Sequence, residues 1–89
     1  MRFAFDENKS QSNLEKHGID FRAVQELWND PDLLQLQART ENELRFVLIG
    51  RIACKHWSVV ITYREETVRI ISARRARNKE VLLYESQRI

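Results

Sequence analysis

From Glu43 to Arg75 the chain alternates apolar and polar residues with a period of two, and this pattern constrains its fold more than any other feature. Glu43 to Ile49 sets Leu44, Phe46 and Leu48 against Glu43, Arg45, Val47 and Ile49. His56 to Arg64 sets Trp57, Val59, Ile61 and Tyr63 against Ser58, Val60, Thr62 and Arg64. Thr67 to Arg75 sets Val68, Ile70, Ser72 and Arg74 against Arg69, Ile71, Ala73 and Arg75. Side chains alternate across a strand, so each run reads as a strand with two distinct faces. The connections, Gly50 to Lys55 and Glu65-Glu66, are too short for a helical crossover, so the strands must be antiparallel neighbours. Leu33 to Ala38 is a weaker strand, and Arg2 to Phe5 reads as a short edge strand.

Helices flank this meander. Asp6 is placed to cap a helix running to about His17, where Gly18 supplies the left-handed stop. Asp20 caps a second helix whose Phe21, Val24, Leu27 and Trp28 follow the i, i+3, i+6, i+7 spacing of a core-facing stripe, until Asn29-Asp30-Pro31 ends it. Asn78 opens a last helix through Ser86, with Val81, Leu82 and Tyr84 expected to pack inward. The expected class is therefore α+β: two N-terminal helices, an antiparallel meander and a C-terminal helix. The second helix must cover one face of the sheet, leaving the other free to carry function.

The 89 residues fit one domain, 1–89, with no linker, repeat or low-complexity segment. Hydrophobic residues at 43% and charged residues at 31% match an ordinary globular protein. No apolar run approaches the ~20 residues that span a bilayer, no signal-peptide stretch opens the chain, and Cys54 is alone, so the expectation is a cytoplasmic protein that contacts no membrane. The net charge is only +2, but its distribution is uneven: Arg69, Arg74, Arg75, Arg77 and Lys79 lie between Thr67 and Lys79 with no acid among them. Such a cluster suits a polyanion or an acidic partner, or else simply solvates an edge.

The first helix is poor in apolar residues. Between Asp6 and His17 only Leu14 is apolar, while Lys9, Asn13, Lys16 and His17 align on one face at i, i+4, i+7 and i+8. That stripe reads either as a solvated face or as a cationic surface with one titratable imidazole directed at phosphate. His17 read alone is a helix-end residue meeting the dipole. Arg64 ends one strand and Arg74 and Arg75 end the next, so antiparallel pairing sets them at opposite ends of the sheet. Cys54-Lys55-His56 lacks the ligands for a zinc site, and no metal or cofactor is expected. Gly-rich phosphate loops and GxSxG elbows are missing from the sequence. Trp28, Trp57 and Tyr63 fit core positions better than a base-stacking surface.

The run Asp6-x-x-Lys9-x-x-x-Asn13-x-x-Lys16-His17-Gly18-Ile19-x-Phe21-x-Ala23, followed by Asp30-Pro31, resembles the N-terminal signature of BrnT-type toxins. Glu43-x-Arg45, Gly50, Thr62-x-Arg64, Arg69 through Ala76, Glu80 and Tyr84 continue the resemblance almost to the C-terminus. One departure is Phe5, where the family commonly has Trp. The resemblance implies a RelE-like fold, metal-independent RNA cleavage that inhibits translation, and neutralisation by a BrnA-type ribbon-helix-helix antitoxin through which the complex reaches operator DNA. In-line attack by a ribose 2′-hydroxyl needs a base, an acid and cations. Under that resemblance the expected catalytic residues are Lys9, Arg64, Arg74, Arg75 and, less directly, His17. Asn13, Lys16, Arg77 and Lys79 would bind RNA, and Glu43 would serve as base or arginine partner. The competing reading is a non-catalytic nucleic-acid- or antitoxin-binding module on the same basic surface.

Overall fold

A computed structural model describes residues 1–38 and 42–88. In chain order these form strand β1 (Arg2–Ala4), helix α1 (Glu7–His17), a 3₁₀ helix (Ala23–Asn29), strands β2 (Leu34–Ala38), β3 (Arg45–Ile52), β4 (Lys55–Arg64) and β5 (Thr67–Arg75), and helix α2 (Asn78–Ser86). The expected α+β class holds, with the five strands in one sheet ordered β1-β5-β4-β3-β2. The sheet is mixed rather than purely antiparallel. β2 to β5 form the meander, but β1 joins the outer edge of β5 in parallel, with Phe3 opposite Val68.

Two tight turns set the register. Ile52 faces Lys55 and Arg64 faces Thr67, so each connection is two residues, Ala53-Cys54 and Glu65-Glu66. β3 therefore runs through Gly50, which the sequence pattern placed in the turn. Ala53 and Glu65 each adopt a φ of 57°, the backbone that the first position of a primed hairpin turn demands and that normally favours glycine.

Phe46, Leu48, Trp57, Val59, Ile61, Val68, Ile70 and Ala73 make the inner face of the sheet, packed against Phe21, Val24 and Leu27. These three residues are fully buried. They follow the expected stripe, but the segment winds as a 3₁₀ helix, not an α-helix. Asp20 still caps it: its Oδ1 accepts hydrogen bonds from the backbone N–H groups of Arg22 and Ala23. Gly50 lies under this helix. A Cβ there would stand 2.9 Å from Leu33 Cδ1, 3.0 Å from Leu27 Cγ and 3.1 Å from Asp30 Oδ2.

One bulge changes the faces of β5. Val60 pairs with Ser72 and Ile61 with Ile70, so Ile71 is an extra residue. Beyond it the alternation inverts: Ala73 and Arg75 join Val68 and Ile70 on the inner face, and Ser72 and Arg74 join Arg69 on the outer. A strict period of two predicts the reverse.

α2 packs across one end of the outer face, closing over Ile49 and Ser58. Tyr84 is its buried anchor, and its hydroxyl donates to Asp30 Oδ2 at 2.6 Å. Leu82, expected inside, is 70% exposed, since the helix turns Glu80 and Tyr84 inward and leaves Leu82 on the opposite side.

Candidate nucleic-acid interface

The outer face not covered by α2 can be read row by row from strand register, because directly opposed residues share a face. Ala4, Arg69, Thr62, Arg45 and Ala38 form one row across all five strands. Arg2, Thr67 and Arg64 form the next row toward the β4–β5 turn. Ser72, Val60, Val47 and Leu36 form the row on the other side, an apolar strip. Four arginines, 2, 45, 64 and 69, thus stand on one open surface around a buried threonine. Thr62 Oγ1 donates to Leu44 O at 2.8 Å, which fixes the chain just before β3. Neighbouring strands lie ~4.8 Å apart, so Arg45 and Arg69 flank Thr62 across ~10 Å, close enough for two guanidinium groups to grip one phosphodiester.

Glu43 is the carboxylate of this surface. Its Oε1 accepts from Arg45 Nε at 3.2 Å, and its Oε2 lies 3.9 Å from Arg64 Nη2. With the Arg64 side chain 67% exposed, the contact orients more than it stabilises. Arg2 and Arg69 form no ion pair among the described residues.

α1 borders the surface along the β5 edge. It docks through polar side chains, which accounts for its lack of an apolar stripe. Buried Ser10 accepts a hydrogen bond from Phe21 N at 2.9 Å through Oγ. Buried Asn13 donates to Ile19 O and accepts from Ala73 N, an edge amide of β5 that lies beyond the reach of β1. At ~100° per residue, Glu7 and Leu14 fall on one flank of this inward direction and Lys9 and Lys16 on the other. Glu7 pairs with Arg22, in the layer of the 3₁₀ helix on the inner face. Lys9 and Lys16 therefore lie on the flank of α1 opposite the Glu7–Arg22 pair. Both lysines are exposed and without an ion pair among the described residues.

The sequence-derived set is split by these placements. Arg64 belongs to the outer-face surface, while Lys9 and Lys16 stand exposed on one flank of α1. Asn13, expected on the RNA-binding stripe, is 7% exposed with both halves of its amide engaged. His17 is exposed at the last position of α1, outside the lysine flank. Arg74 shares the outer face, but it makes a two-pronged bridge to Glu80 at 2.8 and 2.9 Å, and its row, with Ser58, lies beneath α2. Ser58 and Arg64 are six residues apart on β4, ~20 Å, so Arg64 and Arg74 do not share a pocket. Arg75 lies on the inner face over the Trp57 ring, 5.6 Å from its centroid. Arg77 precedes α2 and donates its backbone N–H to Glu80, while Lys79 lies on the outer side of that helix beside Leu82 and Leu83.

Glu80 is the hub of this second cluster. Burial pushes its carboxyl up, but hydrogen bonds from Arg74, the Arg77 amide and Ser58, with the Arg74 charge, hold it below the ordinary carboxylate range. A histidine–carboxylate pair that the sequence did not disclose also lies here: His56 Nε2 is 2.8 Å from Glu85 Oε2, with the His56 ring edge-on to Tyr84. It stitches α2 to β4, and Arg88 extends it to Asp32. Among the described residues, no group of three or more His, Cys, Asp or Glu side chains is arranged to hold a metal ion.

Arg45 and Arg69 are the surface residues that sequence reasoning missed. Each sits on the correct strand face, but only the two hairpin registers reveal that they flank Thr62. Comparison with known families gives a match to the ribonuclease toxin, BrnT, of type II toxin–antitoxin systems over residues 5–80. No curated protein matches the chain.

Proposed function

The chain belongs to the BrnT family of ribonuclease toxins of type II toxin–antitoxin systems, and from that footing we propose that it cleaves RNA without a metal ion on the arginine surface of the outer face. The observation that carries this reading is the row Arg45–Thr62–Arg69 beside Arg64 and Glu43; the exposed Lys9 of α1 is assigned to it as part of the proposal. Attack of a ribose 2′-hydroxyl on the adjacent phosphorus builds negative charge on the non-bridging oxygens and then on the leaving 5′-oxygen. In this scheme Arg45 and Arg69 hold the phosphate from either side. Arg64 stabilises the phosphorane, Glu43 accepts the 2′-proton, and Lys9 delivers a proton to the leaving oxygen. Arg74, Arg75 and His17 are left outside the reaction, with Arg74 serving to fix α2. Lys16 extends the binding track for RNA.

A mixed sheet flanked by helices with a basic open face suits a RelE-like arrangement, and cleavage of messenger RNA would inhibit translation. A type II system pairs its toxin with a protein antitoxin. The proposed partner is a BrnA-like ribbon-helix-helix protein, which would bring the toxin to operator DNA and cover the arginines with acidic side chains. A toxin acting on messenger RNA and, through its antitoxin, on operator DNA would work in the cytoplasm. No helix among the described residues is long and apolar enough to cross a membrane.

The test is purified protein incubated with total RNA in EDTA, beside Lys9→Ala, Arg64→Ala and Arg69→Ala. Circular dichroism confirms that each variant is folded. Wild type should cleave, and loss of one transition-state cation should slow cleavage by ~10²–10³. Equal cleavage by Arg74→Ala, corrected for stability, would separate the surface from the α2 cluster. Salt-sensitive RNA binding without product would instead establish the binding-module reading.

A further inference from the structure

The two edges of the sheet are treated differently. On one side β1 pairs with the first part of β5, and Asn13 of α1 takes the edge amide of Ala73 beyond it. On the other side β2 presents its outer backbone edge with no strand or helix against it among the described residues. An open edge of unpaired N–H and C=O groups is a template for another strand, and proteins ordinarily blunt such edges with charges, proline or a bulge. β2 has none of these: it reads Leu34-Gln35-Leu36-Gln37-Ala38, uncharged and in unbroken register with β3.

Its order is also close to palindromic. Antiparallel pairing of two copies about Leu36 would set Leu36 against Leu36, Gln35 against Gln37 and Leu34 against Ala38. Every pair matches in polarity and none opposes like charges. A two-fold axis requires such self-complementarity, because one patch must serve as both halves of the contact. We propose that β2 is a homodimer interface at which two copies join edge to edge into one ten-stranded sheet. The partner of this edge is a second copy rather than an unrelated strand, because the pattern complements itself about a single residue.

The consequence is geometric. Leu34, Leu36 and Ala38 lie on the outer face, in the rows of Ile49, Val47 and Arg45. The two outer faces would therefore be continuous, with the apolar strip Leu36–Val47–Val60 doubled across the seam. Five strand spacings separate the two β4 strands, so the arginine surfaces would lie on the same side ~24 Å apart. A seam of two five-residue strands is small, below the ~1,200 Å² of standard interfaces, so the dimer should be reversible.

Sedimentation velocity and light scattering from low micromolar to near-millimolar protein test this without reference to nuclease activity. Wild type should pass from the 10.7 kDa monomer to twice that mass as concentration rises. Leu36→Lys and Leu36→Glu, at a solvent-exposed edge position, should each remain monomeric and folded by circular dichroism. An equimolar mixture of the two should recover the dimer through the opposed charges. A wild-type chain that stays monomeric throughout overturns the proposal. So do single variants that dimerise as wild type does, or a mixture no more associated than its components.

Discussion

Replacing Tyr84 with Phe isolates the contact that fastens α2 to the rest of the fold. Tyr84 is 1% exposed, and its hydroxyl donates to Asp30 Oδ2 at 2.6 Å. The same oxygen accepts from Arg51 N at 2.8 Å, and the other carboxylate oxygen accepts from Asp32 N. Phe keeps the ring, its edge contact with His56 and its packing, so the change removes one hydrogen bond to a half-buried, charged acceptor. Such bonds contribute ~1.5–3 kcal/mol. Because Asp30 Oδ2 retains the Arg51 amide, a loss of about 2 kcal/mol is expected, which for a domain this size lowers Tm by roughly 8–16 °C.

The titration of Tyr84 gives a second readout of the same contact. Burial, then the hydrogen bond to Asp30 and its charge, push the phenol up to about 12 from its ordinary 10.0. A raised pKa means that the folded state holds the proton after the unfolded chain releases it. Stability is therefore whole below pH 10.0 and falls as pH climbs toward about 12, by roughly 3 kcal/mol in all. The Phe variant lacks that component, so the stability difference between the two proteins should shrink across this window. Urea unfolding at pH 7 and at several pH values above 10, with unchanged m-values, measures both effects. A variant within about 0.5 kcal/mol of wild type at pH 7, or a gap that stays constant through the alkaline range, would refute the reasoning.

Three further outcomes follow from the same geometry. Gly50→Ala should cost ~1–3 kcal/mol in urea unfolding, since its Cβ meets Leu33 and Leu27 at 2.9 and 3.0 Å under the packed 3₁₀ helix. Glu65→Gly should stabilise the fold by up to ~1 kcal/mol, because residue 65 holds a φ of 57° in a two-residue turn; a fall in Tm would contradict this. Acid should weaken the attachment of α2. Burial raises Asp30 and Glu80, but their hydrogen bonds outweigh it, and the His56 bond leads the lowering of Glu85, so all three sit below their ordinary values. Their contribution is present above the ordinary 3.8 to 4.5 and is lost as pH falls through the lower folded-state values. Glu80→Gln should flatten part of that acid limb.

The strands and the inner face were legible because hydrophobic alternation is a local signal that packing then obeys. Phe46, Leu48, Trp57, Val59 and Ile61 all face inward as the pattern requires. The 3₁₀ winding of residues 23–29 was not legible, since Phe21, Val24 and Leu27 bury equally well from either helix type. Asp30, Gly50 and Tyr84 gave no hint of one another. Their contact joins three elements far apart in sequence, and only the packed structure brings the carboxylate beside an edge amide and a phenol.

The arginines show most clearly where sequence reasoning stops. The Glu65-Glu66 turn separates Arg64 from Arg74 and Arg75, because a two-residue connection fixes which strand ends meet. What the sequence could not show was the single extra residue at Ile71. Were Ile71 paired as a regular strand residue, Arg74 would share the inner face with Val68 and Ile70; with Ile71 bulged out, Arg74 lies on the outer face, where Glu80 can reach it, and Arg75 turns toward Trp57. The bulge also keeps Ala73, rather than Ser72, against the core, and leaves its amide in register with Asn13 on α1. The bulge thus decides which basic side chains stand on the open outer face, which is committed to α2, and where α1 docks. Deleting Ile71 should therefore convert the bulge into regular pairing of the same partners, keeping Ala73 inward and Ser72 and Arg74 outward. A deletion variant that turned Arg74 inward and lost its bridge to Glu80 would contradict this account of how the surface is assembled.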